Sequence, residues 1–277
     1  MTDRLRFGPG GFPTVAKDGG VLGAINWCKE NGLGNMEMEF VHSTWLKEDK
    51  APEVKQAMKK ADVRLTAHGS YYINLNAVEE KKREASRNRV LSAAYRTWQA
   101  GGHAITFHPA FYLKQESEKV SKVVREQLKM IIKELQDDSV DVKINPETTG
   151  KPTQFGTYEE ICKIAQDLEQ VGICVDFAHL HARTNGKYNT YDEFAQVLET
   201  VEKYLGREGL DDMHIHMSGI EYGPKGEKHH LTIEDSDMNM QDLMRAWKDF
   251  KIKGCVVSES PIIEQDALLM KKMYENA

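Results

Sequence analysis

The stretch KINPETTG, residues 143–150, passes from an alternating run into a loop. Val142 and Ile144 alternate with Lys143 and Asn145, the period of a half-buried strand. Pro146 then removes one ladder donor, Glu147 follows, and Thr148, Thr149 and Gly150 read as a turn. Glu147 therefore stands where a strand leaves its sheet. One acid at a strand end is ordinarily a solvated residue. The stretches on both sides change that reading.

Similar short runs recur along the chain, at residues 5–7, 36–40, 63–68, 103–108, 141–147, 172–176, 213–217 and 254–259. Helical patterns separate them. One covers 21–30 and ends at Asn31-Gly32, one follows Pro52, one covers 79–99 before Gly101-Gly102, and one covers 116–136. Thr157 with Glu160, and Thr190 with Glu193, have the spacing of capping boxes; the second opens a helix running towards Leu205 and Gly206. The last two cover 240–250 and 264–274. Eight strands alternating with eight helices predict parallel βα units in an α/β fold. At about 35 residues per unit, the chain fits a (β/α)8 TIM barrel occupying 1–277 as a single domain. A doubly wound sheet is the alternative that alternation alone leaves open.

The faces of the strands favour the barrel. Val63, Leu65 and Ala67 oppose Thr66 and His68; Ile173 and Val175 oppose Cys174 and Asp176; Met213, Ile215 and Met217 oppose His214 and His216. One face is apolar and suits helices, and the other is small or polar. The fifth run fits less well, with Asp141, Lys143 and Asn145 on the Glu147 face.

Composition sets the outer limits. Hydrophobic residues make up 40% of the 277 and charged residues 29%, as in globular proteins and unlike disordered ones. No apolar run reaches the roughly 18 residues of a membrane span. The opening MTDRLRFGPGG lacks the apolar core of a signal peptide. Cys28, Cys162, Cys174 and Cys255 are scattered, which fits a reducing, cytoplasmic setting. The formal charge of −6 argues mildly against a polyanionic partner, but three divalent cations would cancel it.

Runs three to eight end, in order, on His68, His108, Glu147, Asp176, His216 and Glu259. Each is a nitrogen or oxygen ligand for a divalent metal, and parallel barrels gather such ends on one face. A lone histidine there is usually structural; six ligands at six successive ends predict a metal site. His179 follows Asp176 by three residues, and GEKHH offers Glu227 and His229, with His230 as the register alternative. His214 lies deeper, behind His216. His42, His103 and His181 read as packing or surface residues.

These pieces resemble the endonuclease IV family of apurinic/apyrimidinic endonucleases, within the xylose isomerase-like barrels. The matching stretches are HGSYYINL from His68, the strand-end His108, PETTG, DFAH, HMSG, GEKHH and SES around Glu259. The resemblance implies three zinc ions. His68, His108 and Glu147 would hold one, Glu147, Asp176, His216 and Glu259 a second, and His179, Glu227 and His229 a third. Glu227 stands where the family usually carries Asp. The resemblance also implies DNA with abasic sites as substrate, gripped by the loop carrying Ser70, Tyr71 and Tyr72. Cleavage would fall 5′ to the lesion, with Glu147 and Glu259 as catalytic carboxylates. A monomer with no membrane and no obligate protein partner is expected. The main rival is a sugar isomerase or epimerase using Glu147, Asp176, His216 and Glu259 with one or two Mn²⁺ or Mg²⁺ ions. A barrel that binds nucleic acid without catalysis is the other.

Overall fold

The computed structural model describes residues 3–277. Eight parallel strands form the barrel: β1 (Leu5–Pro9), β2 (Asn35–Glu39), β3 (Arg64–His68), β4 (Ala104–Phe107), β5 (Lys143–Pro146), β6 (Cys174–Asp176), β7 (Met213–Met217) and β8 (Gly254–Ser258). They pair as β1-β8-β7-β6 and β2-β3-β4-β5. Bridges Gly10↔Glu37 and Glu147↔Cys174 join the two sets and close the cylinder. At one seam Gly8 lies so near β2 that a Cβ there would come within 1.8 Å of the Asn35 carbonyl oxygen.

Nine α-helices occur among the described residues: α1 (Gly20–Glu30), α2 (Ala51–Ala61), α3 (Glu80–Gln99), α4 (Ser117–Asp137), α5 (Tyr158–Ala165), α6 (Phe177–Arg183), α7 (Tyr191–Leu210), α8 (Met240–Asp249) and α9 (Ile263–Asn276). Sequence reasoning expects eight. The addition is α6, which begins directly at the end of β6. Its N-cap is Asp176, whose Oδ1 accepts from the His179 N–H at 2.6 Å. At seven residues, α6 is too short for a helical period to stand out. The expected helix end at Gly206 is instead a kink, with φ +69°, and α7 continues to Leu210. The Thr157–Glu160 capping box forms, and Thr190 N–H donates to Glu193 at 3.0 Å.

The polar segment after β7 folds as a hairpin, Gly219–Gly223 with Gly226–Leu231. A second small pairing joins Ala110–Phe111 to Gln154–Phe155.

The apolar core lies between barrel and helices. Met36, Met38, Leu65, Ile105, Ile144, Val175, Ile215 and Val256 point outward into it. On α4, Val120, Val124, Leu128, Ile131 and Leu135 supply the matching stripe at spacings of three and four. The opposite strand faces therefore turn inward, and they carry Glu37, Thr66, Thr106, Asn145, Cys174 and His214, all buried. The fifth strand's poor fit has its explanation here. Lys143 reaches Asp212 at the N-terminal end of the barrel, Asn145 meets His214 in the middle, and Glu147 sits at the C-terminal end.

Candidate metal centre

Pro146 keeps its place beside Phe107 in the β4–β5 register, and the Glu147 N–H donates to the Phe107 carbonyl at 3.0 Å. The ladder thus carries Glu147 to the barrel mouth, where its side chain is fully buried. Four imidazoles surround that carboxylate. His68 Nε2 lies 3.1 Å from Oε2; His179 Nδ1, His108 Nε2 and His216 Nδ1 lie 3.1, 3.3 and 3.6 Å from Oε1. Asp176 Oδ2 is 3.4 Å from His179 Nδ1, and Glu259 Oε1 is 3.2 Å from His216 Nδ1. His68 Nδ1 meets the Gly69 carbonyl at 2.7 Å, which turns Nε2 inward.

Of the groups of possible ligand atoms lying within 4.8 Å of one another, three span the centre: His68, His108 and Glu147; Glu147, Asp176, His216 and Glu259; and His179, Glu227 and His230. Glu147 belongs to two of them. Glu147 Oε1, Asp176 Oδ2 and His216 Nδ1 are buried without a hydrogen bond. Leaving such atoms unpaired costs on the order of 1–3 kcal/mol each, more when charged. Oxygen and imidazole nitrogen atoms converging in this way fit a divalent cation, and zinc suits the nitrogen-rich groups.

One member of the predicted set is corrected. His229 lies outside the centre, with its side chain 60% exposed and Nε2 3.3 Å from Glu221. His230 takes the place, its ring 5.6 Å from that of His179 and its Nδ1 2.9 Å from the Glu259 carbonyl. The cause is a β-bulge. Glu221 pairs with His229 but Tyr222 pairs with Glu227, so Lys228 is an extra residue. The extra residue reverses the alternation, and Glu227 shares a face with His230 rather than with His229. The third group also depends on Gly150. A Cβ there would lie 2.6 Å from Glu227 Oε2 and 3.0 Å from His179 Cδ2.

The second strand supplies residues that the sequence reading missed. Glu37 Oε2 takes His214 Nε2 at 2.9 Å, and its Oε1 stands 2.8 Å from His216 Nε2. Glu39 occupies the C-terminal end of β2, and its Oε1 is buried with no partner. The signal was present in MEMEF. Met36, Met38 and Phe40 share the apolar face, so in a closed barrel Glu37 and Glu39 must turn inward.

The electrostatics follow from this crowding. Burial pushes Glu39 up to about 8 against the pull of His68. Burial alone would lower His68, but Glu147, Glu39 and Glu259 raise it to about 10. Burial raises Glu259, and His216 more than offsets this, holding it at about 2. Burial also opposes charge on His179 and His216, yet the surrounding carboxylates raise both well above the usual imidazole value. Cations and protons thus compete for the same imidazoles.

The loop after β3 flanks the centre. Ser70 is buried, and its Oγ accepts from the Tyr72 N–H at 3.2 Å. Tyr71 and Tyr72 are exposed, with the Tyr71 ring 5.7 Å from that of His68 and the Arg89 guanidinium 5.9 Å from the Tyr72 ring. Val15, Trp45, Val78, Phe111 and Leu113 are also exposed, on the segments after β1, β2, β3 and β4. No helix among the described residues is long and apolar enough to cross a membrane.

The chain is 41% identical over 270 residues to an uncharacterized protein of Methanocaldococcus jannaschii, covering 98% of this chain and 97% of that one. It is 28% identical over 172 residues to a probable endonuclease 4 of Oceanobacillus iheyensis, covering 60% of this chain and 55% of the relative. Among solved structures, endonuclease IV from Thermus thermophilus superposes with a TM-score of 0.73 at 19% identity, over 99% of this chain and all of that one. The 3-keto-D-glucoside 4-epimerase of E. coli superposes with a TM-score of 0.72 at 18% identity, over 99% of this chain and 100% of that one. The sequence profile of the xylose isomerase-like TIM barrels matches residues 25–273, and the chain belongs to that family.

Proposed function

We propose that this protein is a zinc-dependent endonuclease that hydrolyses the phosphodiester 5′ to abasic sites in DNA. The observation that carries the reading is the third group, His179, Glu227 and His230, beside the Glu147 centre. A single-metal barrel enzyme needs only Glu147, Asp176, His216 and Glu259. The added imidazoles of His68, His108, His179 and His230 enlarge that set to one that three zinc ions would use. Partial sequence similarity to a probable endonuclease 4 supports the same direction.

When bound, divalent ions supply Lewis-acid stabilisation to the attacking, leaving and non-bridging oxygens of a phosphodiester. The chain's own residues do the rest. Glu147, fixed among four imidazoles, orients the attacking water. Glu259, whose side chain is 15% exposed, takes that water's proton. Tyr71 and Tyr72 fill or stack against the gap left by the missing base. The reaction would take place in the cytoplasm, on a monomer.

The test is a nicking assay on an abasic-site duplex, at low salt, with metal-replete protein. EDTA-sensitive cleavage leaving a 3′-hydroxyl is expected. An intact duplex, when a known endonuclease IV cuts in parallel, would refute the proposal.

A sugar isomerase or epimerase is the second reading, and Glu39 favours it. A protonated carboxyl with a free oxygen suits a polyol hydroxyl better than a phosphate. One exchangeable Mn²⁺ and turnover of a ketose would select this reading; three tightly held zinc ions would exclude it.

A further inference from the structure

We infer that the Glu37 carboxylate, held in place by a hydrogen-bond chain from Asn145 through His214, fixes the tautomer of His216, making Glu37 a positioning residue for the metal centre. The inference rests on reading His216 as a metal ligand and not on which reaction follows.

The chain has a direction. The Asn145 amide Nδ2 lies 3.3 Å from His214 Nδ1. An amide nitrogen only donates, so His214 Nδ1 accepts and its proton sits on Nε2. That proton goes to Glu37 Oε2 at 2.9 Å. The second Glu37 oxygen stands 2.8 Å from His216 Nε2 in an ion-pair contact outside hydrogen-bond alignment, and as an acceptor it favours a proton there. His216 Nδ1 is then left with its lone pair, and this is the atom that faces Glu259 at 3.2 Å and Glu147 at 3.6 Å. Asn145 packs closely against Gly172, where a Cβ would lie 2.5 Å from Asn145 Oδ1.

Stability does not account for this arrangement. Asn145, His214, Glu37 and His216 are all buried in the barrel interior. Apolar residues of similar size would fill that space at no greater cost, because desolvating a buried charged pair offsets most of its attraction. A carboxylate behind a ligating imidazole has a different use, since it orients the ring and raises its basicity. Here one carboxylate serves two imidazoles, and the deeper one, oriented by an amide, holds the carboxylate in place.

The test reverses the chain. Glu37→Gln keeps the shape, but with its oxygen taken by His214 it offers an N–H to His216 Nε2. The His216 proton then moves to Nδ1, the atom that faces the centre. The full-length variant should bind one ion fewer at limiting zinc, or bind it about 10–100-fold more weakly. Adding Asn145→Asp turns His214 around, so in the double variant the amide oxygen introduced at position 37 again accepts from His216 Nε2 and zinc affinity should recover. Zinc is counted by elemental analysis, and affinity is read by chelator competition. In the zinc-loaded wild type, imidazole ¹⁵N shifts should show protonated Nε2 on both His214 and His216.

Wild-type zinc affinity in Glu37→Gln would overturn the inference. So would a double variant weaker than Glu37→Gln alone, or a protonated His216 Nδ1 in the loaded protein. A wild-type protein that takes up no divalent ion would instead remove the metal-centre reading, and this inference with it.

Discussion

At the N-terminal end of the barrel, Asp212 takes Arg64 Nη2 at 2.6 Å, Lys143 Nζ at 2.7 Å and His103 Nε2 at 2.8 Å. At the C-terminal end, Glu147 meets four imidazoles, and Glu37, Glu39, Asp176, Glu227 and Glu259 crowd around it. The first cluster gives one carboxylate two permanent cations. In the second, the only lysine or arginine contact to these six acids among the described residues is Lys151, 4.0 Å from Glu227 at the rim. The same contact, imidazole to carboxylate, therefore has opposite outcomes. Burial, helped by Arg64 and Lys143, keeps His103 below the usual imidazole value despite Asp212. His68, surrounded by acids, rises to about 10 against burial. A cluster whose carboxylate is met by cations of the chain itself holds the fold together. A cluster with surplus negative charge and unpaired oxygens calls for a ligand that the chain does not encode.

Glu147→Gln should separate the two ends most sharply. Zinc affinity and abasic-site nicking should fall by more than about 100-fold. Unfolding of the metal-free protein should shift by no more than about 1 kcal/mol, or towards greater stability, because a buried charge has gone. Elemental analysis and urea unfolding in chelator read the two effects, and a large loss of metal-free stability would break the contrast.

Asp212→Asn should do the reverse, costing about 3–5 kcal/mol in urea unfolding with zinc content unchanged. Burial raises the Asp212 carboxyl, but His103, Arg64 and Lys143 pull it far below the ordinary value of 3.8. Its contribution is therefore fully present above the ordinary carboxylate range. It is lost as pH falls through the depressed native value. An acid limb below about pH 4 that is as steep in the variant as in the wild type would contradict this.

Gly150→Ala should lower the affinity of the third ion by about tenfold while the other two remain, because the new methyl meets Glu227. Chelator competition in steps would resolve the three ions. Zinc uptake should also release protons at neutral pH. Affinity should rise with pH up to the raised value of His68, about 10. Calorimetry in buffers of different ionisation enthalpy measures this, and an unchanged heat would mean that the imidazoles are already free. Tyr72→Ala should have the smallest effect, weakening abasic-duplex binding by about 1–2 kcal/mol without touching metal content. A gel-shift titration is sufficient to show it.

The barrel was legible because two periods coincide in this sequence. The period of two inside strands and the recurrence of about 35 residues between them both specify where side chains converge. His68, His108, Glu147, Asp176, His216 and Glu259 could be found by that rule alone. Glu39 obeys the same rule, but ending the second run on Phe40 instead of Glu39 concealed it. The bulge at Lys228 has no counterpart in alternation. It depends on the pairing of two strands, which a linear pattern does not contain. The short α6 was hidden for a similar reason, since about two capped turns after β6 carry too little periodicity to be seen.

The bulge has a consequence for how this stretch tolerates change. A one-residue slip in a strand ordinarily sends every side chain to the wrong face. In GEKHHL, flattening the bulge with Lys228 retained would restore plain alternation and bring His229 to the face that His230 now occupies. The adjacent histidines make the hairpin insensitive to phase, so its register can shift by a residue while an imidazole still faces His179.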